Sequence, residues 1–182
     1  TTDIDATVLS AIGAKTSGQV TVTNAIDIAG TADEVTAALV TDDTLVVAST
    51  ATVTISDNPS ISALNAIAAK TDGVVTATLA ADSLSNLGAL TTAGTDLITI
   101  TVNDNAEADV TASDLSTLGG KTAGVVTVSN AVDISGTASE LTAALVTADT
   151  LVVAGTATAN ITDEATTDID ATVLSAIGAK TS

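Results

Sequence analysis

The chain has 182 residues, 46% of them hydrophobic, with 22 acidic side chains against 4 lysines, a formal charge of −18, and no His, Cys, Met or aromatic residue. That charge argues against nucleic acid or an anionic membrane as a partner. Without imidazoles or thiols, Ser–His and Cys–His catalysis and His or Cys metal sites are excluded, so no enzyme is expected.

A mean hydropathy of +0.52 separates the chain from disordered acidic sequences and leaves it a core of Val, Ile, Leu and Ala. Small branched side chains of this kind suit layers of strands. They offer no aromatic wall for a large ligand pocket. No apolar run approaches the roughly 18 residues needed to span a bilayer.

Taken in order, the chain repeats itself. Residues 1–17, TTDIDATVLSAIGAKTS, recur unchanged as 166–182, an offset of 165 positions. Gly18 to Asp57 recurs with few changes as Gly124 to Asp163. Such nesting predicts a segment of one continuous tandem array over 1–182, with a 165-residue large period and both termini cut inside a smaller unit.

Six β-rich runs open these smaller units: from Gln19, Thr44, Val74, Leu97, Val125 and Thr150. Val20 and Val22, then Ile26 and Ile28, alternate at period two around a bend at Asn24 and Ala25, so strand, bend, strand is expected. The next segment, TADEVTAALV, carries Thr31 and Glu34 in capping-box spacing with Val35, Ala38 and Leu39 at helical spacing. Thr137, Glu140, Leu141, Ala144 and Leu145 repeat that pattern. Ala51, Val53 and Ile55 alternate before SDNPS and a helix led by Leu64 and Ile67, with Pro59 near its start. Leu84 with Leu87, Leu115 with Leu118, and Val173, Leu174 and Ile177 mark three further helices.

Parallel strands returning through helices predict a parallel β-solenoid with a short helix in each of six rungs, a β/α solenoid advancing about 4.8 Å per turn.

The cadence of DLSTLGGKTAGVVTVSNAVDISGTASELTAAL resembles the acidic, Thr/Ala/Val-rich tandem repeats of very large secreted or cell-surface bacterial proteins, cyanobacterial ones among them. The resemblance implies an extracellular structural or adhesive role and brings no catalytic residues. The GGxGxD nonapeptide of calcium-binding β-rolls is missing, so that family's metal sites do not transfer.

Chemistry-bearing motifs are few. Lys15, Lys70, Lys121 and Lys180 share one context, and GKT at Gly120 to Thr122 is similar to the end of a phosphate loop. Leu115 stands where that loop needs Gly, and the order is helix, loop, strand rather than the reverse, so a cation at a helix C-terminus is the better reading. Acids cluster after the longer strands. Asp104, Asp109, Asp163 and Asp168 are the candidate calcium ligands, against a reading as helix caps; no cofactor is otherwise expected. Threonine pairs such as Thr52/Thr54 read as exposed strand residues rather than an ice-binding face. Asn160-Ile161-Thr162 is a lone glycosylation sequon, and surface glycans are a possible decoration.

Adjacent valines, Val46–Val47 and Val152–Val153, must turn one side chain each away from the inner face, and Val46 and Val152 mark this self-association site. The functional expectation is an extracellular or cell-surface structural protein that forms or coats a filament with other copies of itself. The alternative is an adhesin stalk or binding module stiffened by calcium, to be told apart by its response to chelation.

Overall fold

The computed structural model describes residues 3–41, 46–147 and 152–182. Thr44, Leu45, Thr150 and Leu151, which open two of the predicted runs, lie outside the described residues. Two compact halves are present: residues 1–80 with 91–98, and residues 81–90 with 99–182.

In the first half, β1 (Asp3–Asp5), β3 (Asp27–Gly30), β5 (Thr52–Ile55) and β6 (Val75–Thr78) lie side by side and parallel, with Asp3 opposite Asp27, Ile28 opposite Val53 and Thr54 opposite Thr76. A separate pair joins β2 (Val20–Thr21) to β4 (Val46–Val47). Three helices, α1 (Ala6–Gly13), α2 (Ala32–Leu39) and α3 (Ile61–Ala68), pack beside one another.

The second half holds the pairing of β7 (Leu97–Val102) with β9 (Val126–Val128) and of β9 with β11 (Val152–Val153). A distinct three-stranded sheet joins β8 (Asp109–Thr111), β10 (Asp133–Gly136) and β12 (Thr158–Ile161). Its helices are α4 (Leu84–Leu87), α5 (Ala112–Gly119), α6 (Ala138–Leu141) with a π-helical continuation over Thr142–Val146, and α7 (Ala171–Gly178).

This architecture corrects the predicted β/α solenoid. The fold is α/β, with a principal seven-stranded parallel sheet in the order β1-β3-β5-β6-β7-β9-β11, and the remaining strands fall into separate sheets of three and two. The middle runs are the reason. VVTATL gives the one strand β6 before α4, whereas LITITV gives β7 and, after residues 103–108, a second strand β8 on the other sheet. β6 attaches to β5, the later strand of its bent pair, while β7 attaches to β9, the earlier strand of its pair. The seven-stranded sheet therefore joins the second strands β1, β3 and β5 to the first strands β7, β9 and β11 through β6, while the first strands β2 and β4 and the second strands β8, β10 and β12 fall into the two smaller sheets, so neither set makes one wall through the described residues.

Locally the chain follows its pattern. Every α-helix among the described residues begins on an Asp, Ser or Thr whose side chain accepts a backbone N–H two or three residues on: Asp5, Thr31, Ser60, Ser83, Thr111, Thr137 and Asp170. Each cap satisfies one of the donors a helix start leaves open. Both predicted capping boxes form, at Thr31 with Glu34 and at Thr137 with Glu140. Leu64, Ile67, Leu87, Leu115 and Leu118 sit at or near zero exposure, so the helical stripes face the sheets.

Pro59 is buried just ahead of the cap Ser60, outside the helix, where its missing N–H is not needed.

Candidate functional site

The acids of the exit loops are already engaged, and in a repeated way. The N–H of Ala32, first residue of α2, donates to Asp57 Oδ1 at 2.7 Å. Leu84 N–H, at the start of α4, donates to Asp104 Oδ2 at 2.7 Å, and Ala138 N–H, at the start of α6, to Asp163 Oδ2 at 2.6 Å. Each carboxylate thus reaches back from the following strand to the helix before it. A negative group there answers both an open N–H donor and the positive end of the helix dipole.

Two of the four candidate calcium ligands, Asp104 and Asp163, are therefore helix-terminal acceptors. Asp109 is exposed on β8 and Asp168 is exposed in the loop before α7. Asp104 and Asp109 border the same hollow, about 420 Å3, together with Asp114 and Lys121, while Asp163 and Asp168 border another beside α6 and α7. Within the first hollow Asp114 accepts the Thr111 hydroxyl at 2.7 Å. Among the described residues, no group of three or more His, Cys, Asp or Glu side chains is placed to hold a metal ion.

The lysine motif resolves into a connector. Lys121 follows α5, and its Nζ donates to the carbonyl of Gly88, the C-cap of α4, at 2.8 Å. A cation thus meets the negative end of a helix, though of the neighbouring one rather than its own. The next residue turns the chain: Gly18 N–H donates to Thr16 Oγ1 at 3.0 Å, Gly73 N–H to Thr71 Oγ1 at 2.9 Å and Gly124 N–H to Thr122 Oγ1 at 2.8 Å. K-T-x-G is a helix-to-strand turn in all three places. Thr71 also donates through its hydroxyl to the Ala51 carbonyl, and Asp72 N–H reaches the Ser49 carbonyl at 2.8 Å. The turn is thereby pinned on the chain segment before β5.

One acid escaped the sequence pattern. Asp96 is only 4% exposed and accepts Val75 N–H at 2.8 Å and Ala93 N–H at 2.9 Å, fixing the loop before β7 against the start of β6. A lone Asp in TTAGTD carries no spacing signal.

The surface also carries apolar side chains. Val46 and Val152, named from the sequence as the association site, are 7% and 8% exposed and belong to the core. Their neighbours Val47 and Val153 stand 38% and 54% exposed and are the side chains available for contact. Val8, Ile12 and Leu174 are likewise 50%, 49% and 41% exposed. No helix among the described residues is long and apolar enough to cross a membrane.

Three carboxyl groups are held below their ordinary range, all at helix starts. The Thr7 hydroxyl and N–H do this for Asp5, the Thr137 N–H and hydroxyl for Glu140, and the Thr172 N–H and hydroxyl for Asp170. Such shifts mark capping rather than an acid–base pair. No protein-family model matches this chain, and it matches none of the curated proteins and none of the solved structures compared with it.

Proposed function

We propose that the chain is a structural protein, secreted or displayed at the cell surface, that builds filaments by associating with copies of itself. The observation that carries this reading is the pair Val47 and Val153, which occupy equivalent positions on β4 and β11 and both project apolar side chains outward. Single exposed apolar residues need no explanation; the same one left bare at both occurrences of a repeated strand points to a surface meant to be covered.

Other features agree. Loop carboxylates and connector hydroxyls are engaged at helix ends and turns, which suits a scaffold that must hold its shape. Absence of Cys and Met removes the side chains most readily oxidised, as suits material outside the cell. The net charge of −18 keeps copies apart at low ionic strength, so association should strengthen with salt.

Sedimentation velocity across concentration and salt, followed by electron microscopy, tests the reading. Growth of the sedimentation coefficient with concentration, reduced by the double variant V47D/V153D, is expected. A monomer at every concentration would overturn it. Chelation is expected to leave the assembly unchanged, whereas loss of order on chelation would favour the calcium-stiffened stalk.

A further inference from the structure

In the second half the outward faces of the two sheets differ in chemistry. On the side of β7, β9 and β11, Ile100, Val126 and Val152 are buried, so the residues that alternate with them point out. Thr101 lies beside Thr127, and Thr127 beside Val153. One step earlier on the same side come Thr99 and Val125, both exposed, Val125 at 45%. None of these five residues carries a charge, in a chain of net charge −18. β9 is paired on both edges, so the bare Val125 belongs to the face of the sheet and not to its edge. In the first half the same motif recurs, with exposed Thr21 beside exposed Val47.

On the sheet of β8, β10 and β12 the outward rows are of another kind. Asp109, Asp133 and Thr158 lie side by side, followed by Thr111, Ser135 and Asn160. Asp27 stands beside Thr52 in the same way in the first half. Hydroxyls on this sheet are used inside the molecule, that of Thr158 on Asp133 and that of Thr111 on Asp114. The hydroxyls of Thr99, Thr101 and Thr127 have no hydrogen-bond partner among the described residues. One sheet thus turns a charged, internally satisfied surface to solvent, and the other an uncharged one with hydroxyls to spare.

Resting on the homotypic assembly proposed above, we infer that two copies pair back to back through the uncharged face of β7, β9 and β11. Thr and Val side chains of the two faces interdigitate at the roughly 10 Å separation of packed sheets, and the unused hydroxyls bond across the contact. Two bodies of the same charge meet with least repulsion where neither presents a charge. The acidic rows, brought together at that separation, would set carboxylates about one Debye length apart and repel. The contact is isologous, so each face is consumed by its partner and sideways growth stops at two copies. Val153 is then one member of a row. Five side chains fall short of the roughly 800 Å2 per partner of a standard interface, so a single repeat pairs weakly and a repeated chain accumulates the contact.

Sedimentation equilibrium and electron microscopy of the wild type and three variants test this. Val125→Asp should weaken association by about tenfold or more with its melting temperature kept, since the side chain stands in solvent. Asn160→Asp adds the same charge to the acidic sheet and should move the midpoint by less than about twofold. The double variant D109T/D133T removes the repelling row and should let pairs gather into wider bundles. Equal losses for V125D and N160D would assign the effect to charge in general, and association untouched by V125D would leave Val47 and Val153 acting alone; either result overturns the face. Wild-type bundles many chains wide, or filaments one chain wide, overturn the pairing and leave the filament reading standing. A monomer at every concentration overturns both.

Discussion

Gly18 to Asp57 and Gly124 to Asp163 are near-copies, one in each half, and the comparison separates what sequence dictates from what neighbours dictate. Shared by the two are the capping boxes, the carboxylate reaching back to the preceding helix, and the Asp27 and Asp133 side chains that accept the hydroxyls of Thr52 and Thr158. Three things differ among the described residues. β5 has partners on both edges and β12 on one, β9 has partners on both edges and β2 on one, and the second helix changes from α to π after Leu141. Interactions within a copy survive transplantation; pairings with the next strand do not.

The largest expected effect comes from the turn that docks on β5. A Cβ at Gly73 would lie 2.1 Å from the Ala51 carbonyl oxygen and 2.6 Å from its carbon, so the backbone must move. Gly73→Ala should destabilise the first half by about 3 kcal/mol, the upper end for overpacking. At Gly155, before β12, a Cβ meets nothing within 4 Å, and Gly155→Ala should be neutral or slightly stabilising. Thermal melts of both variants check this contrast; equal effects would mean that the turn over Ala51 is not docked as described.

Next come the carboxylates. Asp57→Ala and Asp163→Ala each remove a charged acceptor from the first N–H of a helix, an expected loss of about 1–2 kcal/mol apiece. Similar losses in chemical denaturation would show that the contact belongs to the copy and not to its position in the chain. A loss at Asp57 alone would show that the contact depends on the surroundings of each copy.

A smaller effect isolates the helix. Between residues 32–40 and 138–146 only two positions change, Asp33 to Ser139 and Val35 to Leu141, and the second pair is fully buried. The π-helical turn coincides with Leu141 in place of Val35 and with the Thr142 hydroxyl donating back to the Ala138 carbonyl at 2.7 Å, whereas the bond from Thr147 N–H to Thr142 O at 3.0 Å has its counterpart in Thr41 N–H to Thr36 O at 3.0 Å. Leu141→Val should restore an α-helix through residue 145 at a loss of about 1 kcal/mol. Backbone chemical shifts and amide exchange report the change, and a π-helical turn that persists would remove the methylene as its cause.

These contrasts show where the sequence was readable. Helix starts were legible because a cap and its acceptor lie within three residues, as in Thr31 and Glu34. Inward faces were legible because period two and period 3.6 are local properties, and Val53, Ile55, Leu64 and Ile67 are buried as their spacing implies. Which strands join into one sheet was not legible, since Val75 and Ile100 alternate like the others and their spacing does not tell which neighbouring strand each will join. The choice between Val46 and Val47 was equally open, because two adjacent valines satisfy either register and a shift of one residue exchanges the faces. Asp57, Asp104 and Asp163 were visible as caps in kind, but their partners lie 20 to 25 residues back and are set by packing.

The smallest expected effect tests the second capping box by pH. Thr137 gives Glu140 two hydrogen bonds, its N–H at 2.8 Å and its hydroxyl at 3.0 Å, and together they hold that carboxyl below its ordinary value of 4.5. A carboxyl with a lowered folded value contributes stability that is fully present above its unfolded value and is lost as pH falls through the folded one. Glu140→Gln should therefore lower the melting temperature at pH 7, and the gap to wild type should stay constant down to about pH 5. Below 4.5 the gap should shrink, closing once the folded carboxyl is protonated. In the first half Thr31 N–H donates to Glu34 at 2.8 Å, and the loss on Glu34→Gln is compared at pH 7 alone. A gap at Glu140 that is independent of pH from 7 to 3 would assign the loss to side-chain shape rather than to charge. The second box would then hold α6 as a neutral hydrogen bond does, and the dipole would have no part in it.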